Sequence, residues 1–156
     1  MRTLRNAMIG TSVTAAAFAG TLGAATPAFA NSPVVSASSV CGPGYAVVGS
    51  YRLTDTTPSR PHYADTWVTY NASNGKNCVV SIRRTGYTGK RWIEAGVKRL
   101  HDSKYSVDEG YYAKYAGPVY TAGSARGTCI MVLGYAVNPK SGYTYNLLST
   151  GPVHCG

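Results

Sequence analysis

Acidic residues are scarce in this sequence. Six Asp and Glu stand against fifteen Lys and Arg, a formal net charge of +9 at pH 7. Glycoside hydrolysis needs two carboxylates flanking one bond, and Asp55, Asp65, Glu94, Asp102, Asp108 and Glu109 show no spacing that singles out a pair. They form no calcium-loop pattern either. Histidine is as sparse: His62, His101 and His154 lie in no recognisable motif, and the chain has no G-x-S-x-G elbow. His101-Asp102 is the one neighbouring base and acid, a combination that in a polar stretch is ordinarily solvated loop. No catalytic residue, cofactor motif or metal-ligand cluster is therefore assigned.

Phenylalanine is nearly missing too. Phe18 and Phe29, the two present, fall in the first thirty residues. That segment has the layout of a secretory signal: Arg2 and Arg5, a mildly apolar run from Ala7 to Leu22, then an Ala28-Phe29-Ala30 cleavage pattern. The run is diluted by Thr, Ser and Gly and lacks a positive flank, so no integral membrane span is expected. Arg2 and Arg5 are not adjacent, which excludes a twin-arginine signal. The cysteine nearest the cut, Cys41, is too far away to carry a lipid anchor.

Removing Arg2 and Arg5 leaves 13 Lys and Arg against 6 Asp and Glu, a net +7 for residues 31–156. A secreted basic chain favours anionic partners: cell-wall surface polymers, including acidic polysaccharide, or phospholipid headgroups. Its cations are scattered, with Arg83-Arg84, Lys90-Arg91 and Lys98-Arg99 as the densest groups. Such pairs are ordinarily solvated faces, and no specific nucleic-acid site is expected.

Cysteine usage agrees with export. Cys41, Cys78, Cys129 and Cys155 are an even set with no C-x-x-C, which disfavours zinc knuckles and thioredoxin-like chemistry and favours disulfides. Four cysteines allow three pairings. The local one, Cys41 with Cys78 and Cys129 with Cys155, closes the shortest loops and is the expected one.

With no long helical period and turn signals at regular intervals, the chain is expected to be all-β, a single small antiparallel β-sandwich or barrel stapled by two disulfides. Residues 31–40, Ser-rich and aperiodic, are expected as a flexible tail, and 41–156 as the disulfide-bonded domain. "YAVVGSYRL" from Tyr45 reads as a strand and Thr54 to Tyr63 as a Pro- and Thr-rich loop. The clearest element is a hairpin from Asp65 to Arg84 around Asn74-Gly75, whose second strand turns Cys78, Val80 and Ile82 to the core. That turn also accounts for Asn71-Ala72-Ser73, formally a glycosylation sequon. "RWIEAGVKRL" from Arg91 fits a strand better than a helix because of interior Gly96. "HDSKYSVDEG" from His101 reads as a polar loop with a turn at Asp108-Glu109. "YYAKYAGPVYTAG" from Tyr111, "GTCIMVLGYAV" from Gly127 and "YTYNLLST" from Tyr143 read as three further strands.

The surface candidates lie in Tyr111 to Tyr120, which carries four tyrosines. If that stretch is one strand, Tyr111 and Tyr115 face the core, while Tyr112 and Tyr120, flanking Lys114, face solvent. Tyr112, Lys114 and Tyr120 are thus the expected surface-binding residues.

"CGPGYAVVGS" from Cys41, "GKNCVVSIR" from Gly75, "YAGPVY" from Tyr115, "GTCI" from Gly127 and "HCG" from His154 resemble the spore-associated protein A family of small secreted actinomycete proteins. The resemblance runs in order through nearly all of residues 41–156. It implies export, association with the spore or cell surface and no established enzymatic activity. The functional expectation is a secreted non-enzymatic protein attached through a basic, tyrosine-rich face. A carbohydrate-binding module is the alternative. A secreted protease inhibitor presenting Thr85 to Arg91 is a weaker one, and a hydrolase using His101 the weakest.

Overall fold

The computed structural model describes residues 35–54, 62–138 and 148–156. Short β1 to β8 follow a single helical turn: α1 Ala37–Cys41, β1 Tyr45–Thr54, β2 His62–Asn71, β3 Lys76–Arg83, β4 Arg91–Arg99, β5 Ser106–Tyr112, β6 Tyr115–Tyr120, β7 Ile130–Ala136 and β8 Leu148–Ser149. They form two four-stranded antiparallel sheets, β1-β2-β3-β6 and β5-β4-β7-β8. The fold is a β-sandwich, and it does not close into a barrel.

Alternation builds the core between the sheets. Val68 and Val79 from the first sheet meet Ile93, Val97, Ile130 and Val132 from the second, all of them buried. Between them sits a polar contact, where the Thr66 and Ser81 hydroxyls pair at 2.8 Å. The expected hairpin is β2 and β3. Asn74 accepts from the Lys76 amide at 2.9 Å, Gly75 takes φ 71°, and Asn71 folds its carbonyl oxygen onto the Ser73 amide at 2.9 Å. Asn71 therefore serves the turn.

Both expected disulfides are present, Cys41–Cys78 and Cys129–Cys155. Cys78 is buried, but on the outer face of the first sheet. There Cys78, Val80 and Ile82 form a second, smaller core under α1, with Ala37 and Cys41. Residues 37–40, expected as part of the tail, are thus in α1. Ser36 caps the turn, its hydroxyl accepting from the Ser39 amide at 3.1 Å, and apolar Ala37, Val40 and Cys41 face the sheet.

The stretch Tyr111 to Tyr120 is two strands. It breaks at Ala113-Lys114, so that β5 ends in one sheet and β6 begins in the other. The parity restarts there, and it slips again within β6. Ala116 and Val119 both enter the sandwich core across a register shift opposite Val79 and Ser81, where Pro118 offers no donor. Tyr111 is consequently exposed, 66% of its surface, whereas Tyr112 and Tyr120 are half-buried. The expected loop from His101 is strand from Ser106 onward, and Asp108 lies inside β5. It accepts from the Tyr112 hydroxyl at 2.7 Å and the Gly117 amide at 2.6 Å. Residues 55–61 of the Thr54 to Tyr63 loop, and 143–147 of the last expected strand, lie outside the described residues.

Candidate binding surfaces

The residues weighed for catalysis are committed elsewhere. Asp102 grips the Arg99 guanidinium, with Oδ1 2.7 Å from Nη2, and takes the Arg99 amide at 3.1 Å. Those hydrogen bonds hold its carboxyl below the usual range. It does not orient His101, which is exposed. His62 bridges Asp65, at 2.8 Å through Nε2, and Arg84 through Nδ1. His154 sits 3.3 Å from the Tyr51 hydroxyl, and burial pushes its pKa down. Among the described residues no group of three or more His, Cys, Asp or Glu is arranged to hold a metal.

A basic cleft of about 220 Å³ opens where β3 ends, between the loop after it and the β5–β6 turn. Arg83, Arg84 and Lys114 line it together with Ile82, Tyr87 and Ala113. Arg83 is anchored by Nη1, which donates to the carbonyls of Gly89, Tyr112 (3.3 Å) and Ala113 (3.1 Å). Its Nη2 is buried without a hydrogen-bond partner. Burial, and then the neighbouring positive charge of Arg91, lower the Arg83 pKa. Tyr87 packs edge-on against Tyr63 and donates to the His62 carbonyl at 3.5 Å. Arg91 opens β4 opposite Tyr112, so the loop does not present it at a tip. Among the described residues the ion pairs are His62–Asp65 and Arg99–Asp102, and neither includes a cation of this cleft.

The outer face of the second sheet has the opposite character. Strand register places Trp92 across from Tyr111, Glu94 across from Glu109 on one side and Tyr135 on the other. The Trp92 and Tyr111 rings meet edge to face at 5.3 Å. Burial, then the facing Glu109, raise the Glu94 pKa. A carboxyl whose folded pKa exceeds its unfolded value holds its proton more tightly when folded. Stability then falls as pH rises from the unfolded value through the folded one. Glu94→Gln is therefore expected to raise the melting temperature at pH 7 and to match the parent at pH 3, which parallel thermal melts will show.

Over 91 residues the chain is 42% identical to spore-associated protein A of Streptomyces coelicolor, a match covering 58% of this chain and 53% of that protein. The match spans about half the length of that relative. No family model and no solved structure matches the chain.

Of the expected surface-binding residues Tyr112, Lys114 and Tyr120, the structure brings Lys114 to the basic cleft and leaves the two tyrosines out of it. The Tyr112 hydroxyl is spent on Asp108, and that of Tyr120 on the Cys41 carbonyl at 3.0 Å. Arg83 and Arg84, read from sequence as a solvated pair, are the principal cations of the cleft. A signal was present in "CVVSIRR". Cys78 to Ile82 is apolar on both parities apart from Ser81, as befits a strand buried on both faces, and such a strand carries a terminal arginine into the body.

Proposed function

We propose that this chain is a secreted, non-enzymatic protein of the spore or cell surface, held there by anionic polymers that engage its basic face. Similarity to a protein named for spore association supports the location. The observation that carries the mode of attachment is the convergence of Arg83, Arg84 and Lys114 on one cleft, none of them in an ion pair among the described residues. Cations so placed attract polyanions in a salt-dependent way, because mobile ions screen exposed charges within about 10 Å at 0.1 M salt. The test is to fractionate a sporulating culture and wash the spore and wall fraction with rising salt, then with detergent. Release by salt is expected, and an Arg84→Gln/Lys114→Gln variant is expected to leave at lower salt than the parent. Recovery from the medium alone would contradict the proposal.

A second reading, binding of neutral polysaccharide, is favoured by the aromatic row on the second sheet. Trp92, Tyr111 and Tyr135 offer ring faces for sugars, and Glu94 and Glu109 offer acceptors for their hydroxyls. Under this reading Tyr111→Ala abolishes retention on cellulose, chitin or purified cell wall. If the parent is not retained on any of the three, the reading fails.

A further inference from the structure

We infer that the basic cleft is a seat for one tetrahedral oxyanion, a phosphate- or sulfate-class group carried on a small polyol or sugar unit. The inference rests on the anionic-polymer reading above and specifies what that surface takes.

The geometry of Arg83 comes first. Three main-chain carbonyls hold Nη1, from Gly89 in the loop and from Tyr112 and Ala113 at the end of β5, so the guanidinium plane is fixed before any ligand arrives. Nη2 lies in the same plane, buried and unpartnered, although a buried charged donor without an acceptor is costly. With Nη1 spent, the end-on pair of parallel N–H bonds of Arg83 is closed to any ligand, carboxylate or phosphate. Nη2, shielded from solvent, lends the cleft its charge without an open donor.

The other cations come from separate directions. Arg84 follows β3 and has one nitrogen on the His62 ring, while Lys114 stands exposed on the turn between β5 and β6. Arg83 ends β3 with Arg84 next to it and Lys114 stands on the β5–β6 turn, so the cations come from two places, and a tetrahedral anion has more oxygens to meet them than a carboxylate. Asp65, the carboxylate nearest to this network in the hydrogen-bond chain, is engaged with His62.

The remaining lining is apolar or aromatic: Val35, Ile82, Tyr87 and Ala113. A bare anion leaves that surface unused. At about 220 Å³ the cleft holds the anion together with a short carbon body.

Calorimetric titration of the full chain at fixed ionic strength tests this, using inorganic phosphate, glycerol 1-phosphate, sulfate, acetate and glucuronate. Inorganic phosphate is expected to bind at one site with a Kd on the order of millimolar, and glycerol 1-phosphate severalfold more tightly. Sulfate competes, whereas acetate and glucuronate do not. Arg84→Gln and Lys114→Ala are each expected to weaken glycerol 1-phosphate by roughly tenfold. Both side chains are exposed, so these variants keep the fold, as Arg83 variants with three released carbonyls need not. Absence of saturable heat with phosphate and glycerol phosphate, equal affinity for the carboxylates, or binding unchanged in both variants would each overturn the inference. Salt-releasable spore attachment without phosphate binding would overturn this site and leave the surface reading standing. Phosphate binding by a protein found in the medium alone would do the reverse.

Discussion

Converting Cys41 and Cys78 together to serine is expected to remove about 3–4 kcal/mol of unfolding free energy, the chain-entropy value for a loop of this length. The packing around the bridge adds to the loss. The disulfide pins α1 over the outer face of the first sheet, and Cys78, Val80 and Ile82 are buried there at 0%, 0% and 5% exposure. A five-residue helix has too few internal hydrogen bonds to persist unaided. Once untethered, α1 is expected to fray, leaving an apolar strip beside Trp67 open to water. Urea titration followed by tryptophan fluorescence is the measurement: a lower midpoint, with a red shift already present without denaturant. An unshifted native spectrum with a full-sized loss of stability would mean that packing alone holds the helix and the bridge acts only on the unfolded chain.

Gly134→Ala is expected to cost about 2–3 kcal/mol, the upper part of the range for overpacking a core. Gly134 lies on β7 against a hydroxyl pair of the facing sheet. A Cβ placed there would stand 2.0 Å from Thr66 Oγ1 and 3.0 Å from its Cβ. Thr66 is fully buried and bonded to Ser81, so it cannot rotate away without stranding that hydroxyl. The sheets must part instead. Adding Thr66→Ala removes the oxygen in the way. The Gly134→Ala/Thr66→Ala double variant is expected to be more stable than the sum of the two single losses by more than about 1 kcal/mol. Strict additivity in denaturant titrations would show that the contact is not what makes glycine necessary.

Strands bounded by strong turn chemistry were legible in the sequence. Asn74-Gly75 marked the β2–β3 hairpin, and the β-branched runs after Tyr45 and Gly127 marked β1 and β7. The pairing of cysteines also followed, because the short loops coincide with neighbouring elements in the fold. Two features lacked a local signal. At Ala113-Lys114 the chain changes sheets with neither Gly nor Pro to announce it, so Tyr111 to Tyr120 looked like one strand and the exposures of Tyr111 and Tyr112 were exchanged. Asp108 and Glu109 looked like a turn because β5, at the edge of its sheet, exposes one face and turns Asp108 inward to a tertiary partner. The cleft was half legible. Lys114 stood out beside tyrosines, but the role of Arg83 depends on three carbonyls brought to it from distant parts of the chain.

The margins of the first sheet bear on crowding. A regular free edge is a template on which a second chain can zip. Here one edge, β1, is interrupted by the register shift between Val47 and Gly49, and the other, β6, carries Pro118, which has no amide to donate. Two exposed valines, Val47 at 47% and Val48 at 45%, lie on the interrupted stretch, where an unbroken edge would be most adhesive. Both interruptions work against two copies joining edge to edge through this sheet.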